Sequence, residues 1–387
     1  MISLFENVEQ CYGCGVCGNI CPKKAITIKQ DIKGFYYPKI EDELCINCGL
    51  CKKVCQIGNE TQQLKLRSEK CFAVKADNEI RTTSSSGGIF TIVSQYVLNS
   101  GGICVGVKFD RDFNAVFDVA DNFEKCKEFR GSKYIQANTN DIFKKVEKYL
   151  KEERMVLFTG TPCQVNALYL YLKTIKANTK LLLTIDLVCH GVPSPIVWKD
   201  FISELQNLNG SELTNFTFRD KNKGWRGYHI CAKFKNSSIV HDNDFTQSYV
   251  KLFSKDLMLR SSCYRCSYAS LYRTADITIG DFWGIENIDI DFSDNMGISL
   301  VIPNTDKGKD VFEKINQNFV FKEYETKLLT QHNLYSPTTK SCYYDRFWKL
   351  FLKKGYLKVA KKFGGYGKYQ LLYKIRDFID YRILKRK

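Results

Sequence analysis

Cys11, Cys14, Cys17 and Cys21 recur, each 34 positions later, as Cys45, Cys48, Cys51 and Cys55. No other feature of the chain restricts its fold as strongly. The run C-x2-C-x2-C-x3-C places three thiolates in one tight loop, enough for three corners of a cuboidal cluster. The fourth cysteine starts off in another direction and reaches the other cluster. Cys11, Cys14, Cys17 and Cys55 are therefore expected to hold one [4Fe-4S] cluster. Cys45, Cys48, Cys51 and Cys21 are expected to hold a second. Gly13, Gly15, Gly18 and Gly49 let the backbone come close to inorganic sulfide and donate N–H bonds. Pro22 follows Cys21 in the usual pattern, whereas Gln56 stands where the second proline would be. Zinc sites use two C-x2-C pairs on a longer spacer, so half of these cysteines would be surplus for zinc. Two strand-like runs, Ala25–Lys29 and Phe35–Ile40, join through the turn signal Asp31-Ile32-Lys33-Gly34.

The chain has 387 residues, which suggests two or three domains. It shows no basic-then-apolar leader, so its 17 cysteines read as thiols and thiolates in a reducing cytoplasm. No run approaches the ~18 apolar residues of a membrane-spanning helix. The net charge of +16 is concentrated at one end: residues 341–387 hold 14 Lys and Arg against three Asp. No helix-turn-helix, zinc-finger or RNA-binding signature accompanies it, so nucleic acid is not an expected partner. The expected plan is α+β. A bacterial-ferredoxin-like domain (1–58) and a polar linker (59–69) lead into a mixed α/β flavin-type redox domain (70–324). A basic helical tail (325–387) follows. In that tail Leu371, Leu372, Ile375, Phe378 and Ile379 share one helical face, which either packs on the protein's own core with a solvated basic face, the favoured alternative, or meets a partner protein or a membrane surface.

In the second domain, Met155 to Leu205 reads strand–helix–strand–helix, the sign of a parallel βαβ unit. Thr161-Pro162-Cys163 closes the first strand and opens a helix, with Thr161 as N-cap and Pro162 as first helical residue. Cys163 then meets the positive end of the helix dipole, which favours thiolate. Cys189-His190-Gly191 ends the next strand, so both cysteines sit at the carboxyl edge of the sheet. Cys263 and Cys266 form a further C-x2-C. These four could hold a third cluster, or Cys163 and Cys189 could be small packing residues beside a redox pair. Ser86, Gly87 and Gly88 precede a helix, where exposed N–H groups suit a phosphate. No Walker or G-x-G-x-x-G sequence is present, which argues against a standard dinucleotide site. Lys133 could meet a phosphate, and Trp225 and Trp283 could stack on a flavin ring or pack in the core. His190 and Asp281 are the candidate catalytic groups, each with an ordinary structural alternative. Cys71, Cys104, Cys126, Cys231 and Cys342 read as packing residues.

The cysteine repeat resembles bacterial-type two-cluster ferredoxins. Together with SSGG, RGSKY, TGTPCQ, DLVCHG, FRDK-x-x-GW, C-x2-C, ADITIGDFWG and GISLVIPNT, it resembles the coenzyme F-420 hydrogenase/dehydrogenase beta-subunit family. The 7-hydroxymethyl chlorophyll a reductases are similar. The likeness runs from Cys11 to about Asn304 and is carried by the order of the motifs. It implies an iron–sulfur flavoprotein oxidoreductase that passes electrons between its clusters and FAD. The implied partners are a redox protein and a small organic substrate, with surface-polysaccharide metabolism one setting. It strengthens the cluster reading of Cys163, Cys189, Cys263 and Cys266, and it makes Ser86, Gly87, Gly88 and Lys133 the candidate FAD contacts. The competing expectation is a non-catalytic electron-transfer subunit docked to a partner enzyme.

Overall fold

The computed structural model describes residues 3–59 and 67–369, with 371 and 375 beyond them. Residues 60–66 of the linker, and Leu372, Phe378 and Ile379 of the expected tail face, lie outside the described residues.

In chain order the strands are β1 (Ile26–Gln30), β2 (Tyr36–Ile40), β3 (Lys70–Lys75), β4 (Ile103–Phe109), β5 (Ala115–Ala120), β6 (Val156–Gly160), β7 (Leu182–Leu187), β8 (Leu213–Thr217), β9 (Cys231–Phe234), β10 (Ile239–Val240), β11 (Ile277–Asp281), β12 (Ser299–Pro303) and β13 (Val320–Glu325). β1 and β2 form the expected hairpin. Its turn is held by Asp31 Oδ1, which accepts from the N–H groups of Lys33 (3.0 Å) and Phe35 (2.8 Å). The main sheet runs β13-β3-β12-β11-β7-β6-β4-β5. Its centre, β4-β6-β7-β11, is parallel, and its outer strands pair antiparallel. β8, β9 and β10 make a separate antiparallel sheet. Among the described residues no helix is long and apolar enough to cross a membrane.

The parallel centre follows from its sequence. β6 and β7 are joined by the helix Pro162–Thr174, whose Pro at the first position and Gln164 bonding back to the Thr161 N–H fix where it starts. Alternation along each strand separates two cores. Ile103, Val105, Val156, Phe158 and Leu182 face one; Cys104, Leu157, Leu183 and Ile185 face the other. Cys71 and Cys104 are fully buried, Cys126 and Cys231 nearly so, as packing residues should be; Cys342 is exposed.

Two stretches outside the main sheet pack into its core. Val16, Phe35 and Val54 of the ferredoxin-like head belong to the same apolar cluster as Phe143, Val165 and Trp198, so the head is packed onto the large domain. The stretch expected as a tail is also part of the body through Phe363. The helices Tyr344–Lys354 and Tyr356–Phe363 bury Tyr344, Phe347, Trp348, Phe351, Tyr356 and Val359 in that cluster. Burial of such side chains contributes about 1.5–3 kcal/mol each, far more than solvating a basic face requires. Lys353, Lys354 and Lys358 stay on the outside.

Candidate functional site

The head builds two cysteine sets from one repeated piece of backbone. Gly15 (φ +70°) and Gly49 (φ +75°) turn the chain into the short helices Val16–Ile20 and Leu50–Lys53. The third cysteine of each run, Cys17 or Cys51, is buried on its helix. The fourth follows the helix and leaves toward the other set. As a result Cys11, Cys14, Cys17 and Cys55 line one cavity, with Leu4, Phe5, Ile28, Tyr36, Pro38 and Gln56 around them. Cys21, Cys45, Cys48 and Cys51 line a second, with Ile26, Ile40, Ile46 and Leu50.

A third cavity holds Cys163, Cys189, Cys263 and Cys266. β6 and β7 are neighbours in parallel register, Gly160 beside Asp186, so the residues just past their ends meet at one edge. Cys163 enters on the helix after β6 and Cys189 on the loop after β7. Cys263 lies in the turn Ser261–Arg265, and Cys266 ends it. The Val192 N–H reaches Cys263 Sγ at 3.5 Å, and Thr161 Oγ1 lies 3.2 Å from Cys163 Sγ. Tyr12 and Gly13, between Cys11 and Cys14, line both this cavity and the first cysteine cavity. One turn of backbone is the wall between them.

Burial dominates the electrostatics. It pushes the thiols of Cys14, Cys163 and Cys263 up to about 12, and those of Cys17 and Cys189 well above their usual range. At Cys163 this overrides the helix dipole that was expected to favour thiolate, and neighbouring Cys266 adds to it. Four crowded, buried thiols are a poor arrangement on their own. They are the donor set of a group that takes sulfur as thiolate and brings its own positive charge. Each of the three cavities offers four cysteine donors, the set a [4Fe-4S] cluster takes.

The candidate flavin contacts Ser86, Gly87 and Gly88 lead into the helix Ile89–Asn99. Ser86 Oγ donates to the carbonyl of Ile298 at 2.8 Å. A Cβ on Gly87 would lie 2.1 Å from the Val74 carbonyl, and one on Gly88 would lie 2.7 Å from Ile80 Cγ2. These glycines are required by the chain's own packing. Lys133 Nζ donates to the carbonyls of Glu128 and Arg130, both at 2.8 Å. Trp225 and Trp283 stack on each other, with centroids 4.6 Å apart and planes 4° from parallel.

The two catalytic candidates are separately placed. His190 lines the third cavity, its Nε2 2.6 Å from buried Asp256 and its Nδ1 3.3 Å from Asn333 Oδ1. Asp281, at the end of β11, accepts from Arg219 Nη1 at 2.7 Å and Trp225 Nε1 at 2.8 Å. Its carboxylate is occupied within the fold. Sequence reasoning missed Arg260 and Arg273, both fully buried near the third set, where they oppose the rise of the Cys163, Cys263 and Cys266 thiols. It also missed Lys221, whose Nζ donates to the carbonyls of Arg81, Ser86 and Met296. A lone cation carries no sequence signal of burial.

Comparison with known proteins gives three matches along the chain. Residues 71–144 match "Coenzyme F420 hydrogenase/dehydrogenase, beta subunit N-term", and residues 153–327 match the C terminus of the same subunit. Residues 10–59 match the "4Fe-4S dicluster domain". A subunit of the F(420)H(2) dehydrogenase of Methanosarcina mazei is 23% identical over 290 residues, covering 70% of this chain and 75% of that protein. A chain of the F420-reducing [NiFe] hydrogenase complex from Methanosarcina barkeri aligns with a TM-score of 0.46 and 19% identity, over 78% of this chain and 92% of that one.

Proposed function

The chain belongs to the coenzyme F420 hydrogenase/dehydrogenase beta-subunit family, carries a 4Fe-4S dicluster domain at its head, and we propose that it is the electron-transfer subunit of a cytoplasmic oxidoreductase. In this reading Cys11, Cys14, Cys17 and Cys55 hold one cluster, Cys21, Cys45, Cys48 and Cys51 a second, and Cys163, Cys189, Cys263 and Cys266 a third. The observation that carries it is the wall of Tyr12 and Gly13, common to the first and third cysteine cavities. When bound, each cluster supplies a one-electron couple.

The residues of the chain hold these groups at fixed spacing and keep water from them. The helices Val16–Ile20 and Leu50–Lys53 each carry a cysteine of one set and lead into a cysteine of the other, so the first two sets cannot drift apart. Leu4, Phe5, Ile28 and Pro38 exclude solvent from the first. Cys48 is exposed, which leaves the second set nearest the surface and suited to an outside redox protein. The name of the Methanosarcina mazei relative, a dehydrogenase subunit, supports work alongside a partner enzyme.

Family likeness also proposes FAD, as the adapter between single electrons and the paired electrons of an organic substrate. Ser86, Gly87, Gly88 and Lys133 are the residues proposed for it, although Ser86 Oγ and Lys133 Nζ already bond within the chain.

Anaerobic purification followed by iron and flavin analysis tests the proposal. About twelve iron atoms per chain are expected, falling by about four in the Cys263→Ser/Cys266→Ser variant. Iron unchanged by that double substitution would remove the third cluster. Stoichiometric flavin in the isolated chain would favour the substrate-reducing reading instead.

A further inference from the structure

Pro22 and Gln56 occupy equivalent places in the repeat, 34 positions apart, each directly after a fourth cysteine. Pro22 is exposed, whereas Gln56 is buried, with 1% of its surface accessible. Gln56 lines the cavity of the first cysteine set and is held from the other side by the large domain. Asn166 Nδ2 donates to the Tyr268 hydroxyl at 2.7 Å, and that hydroxyl donates to Gln56 Oε1 at 2.6 Å. Asn166 Nδ2 also approaches Gln56 Oε1 at 3.4 Å. Tyr268 is two residues from Cys266, and Asn166 three from Cys163.

The Gln56 oxygen accepts from Tyr268 and faces Asn166 Nδ2, so the NH2 points away from both. Gln56 Nε2 is buried with no hydrogen-bond partner. Gln56 shares its cavity with Cys14, a cysteine of the first set. A buried donor left unfilled costs about 1–3 kcal/mol, unless a charged acceptor arrives. A cluster-ligating Cys14 is such an acceptor, because its sulfur is then a thiolate.

We propose that Gln56 is a positioning residue that donates an N–H···S hydrogen bond to Cys14 and raises the reduction potential of the first-set cluster. An N–H donor to a ligand sulfur stabilises the more negative, reduced state. At the equivalent place the second set has Pro22, whose ring carries no donor. Two halves of a near-symmetric head thus differ at this one donor. Tyr268 and Asn166 aim the amide, so the tuning depends on the head being docked to the large domain. The proposal rests on the assignment of a cluster to the first cysteine set.

The test is a redox titration of the full-length, cluster-loaded protein followed by EPR. Cys14→Ser identifies the first-set signal, because it exchanges one sulfur ligand for oxygen. Gln56→Met keeps the side chain's bulk and removes the donor. It should retain full iron and shift only the first-set couple, downward by about tenfold in its equilibrium, or about 59 mV for one electron. Gln56→Pro should move it the same way. Tyr268→Phe should give a smaller downward shift, and it decides the matter if the Gln56 variants lose iron. A first-set couple unmoved in Gln56→Met at full iron, or in Tyr268→Phe where that variant must serve, overturns the proposal. If Cys14→Ser alters no signal, the cluster assignment itself fails, which is a separate outcome.

Discussion

Arg260 Nε donates to the carbonyl of Cys11 at 2.8 Å, joining residues 249 positions apart. The guanidinium also lies 4.0 Å from the centroid of Tyr37 and is fully buried. It is a strut from the large domain into the first cluster loop. Arg260→Met removes a charged hydrogen bond and a cation–π contact, together about 2–3 kcal/mol. The expected result is a lower melting temperature and faster proteolysis of the head. An unchanged melt would show that the strut is ornamental.

Gly15 and Gly49 are equivalent in the repeat and share a left-handed backbone, yet their surroundings differ. A Cβ on Gly15 would lie 2.3 Å from Thr139 Oγ1, whereas one on Gly49 would meet nothing within 4 Å. Gly49→Ala should cost only the left-handed penalty, about 1–2 kcal/mol. Gly15→Ala adds overpacking against Thr139, for a total of about 3 kcal/mol or more. Thermal melts of the two variants compare them directly. Equal losses would contradict the packing of the head against the Thr139 loop.

What was legible in the sequence was whatever local spacing determines. The cysteine repeat contains its own geometry, because three thiols in seven residues must share a loop and the fourth must leave it. Cys163 and Cys189 were placed at one edge because adjacent parallel strands put their carboxyl ends side by side. Their company with Cys263 was not determined by any local rule. Nor was the burial of Arg260 or Arg219, since a single cation looks the same in a core and in solvent. The basic C-terminal region was legible as helix with an apolar face for the core, and Phe347 and Phe351, four apart, are on the face that the core takes up.

Lys221 predicts a pH dependence. Burial lowers its ammonium from 10.5 to about 7, and nearby Arg81 adds to this. Between those values the unfolded chain holds a proton that folded Lys221 has shed, so stability rises with pH across that window. Below about 7 both states are protonated and the cost of burying the charge stays. Lys133, also lowered to about 7 by burial, acts with the same sign. The apparent melting temperature should therefore climb from neutral pH to about pH 9.5, and climb less in Lys221→Gln. Parallel pH profiles for the two proteins would rule this out.

Asp281 separates a structural role from a catalytic one. Its carboxylate pairs with Arg219, whose side chain is 3% exposed and lies 5.3 Å from the Trp283 ring centroid. Asp281→Ala would leave that guanidinium buried without its counter-charge, a loss of about 3–5 kcal/mol. Replacing both partners, as Arg219→Met/Asp281→Leu, removes the stranded charge and should recover part of the loss. Melts of the single and double variants measure the coupling. A catalytic carboxylate predicts the reverse pattern: Asp281→Ala would melt like the parent protein, and the double variant would be no more stable than the single. The arrangement of Arg219, Trp225 and Trp283 around Asp281 favours the first result, because every one of these neighbours is itself buried or stacked and none is free to exchange its partner for a ligand.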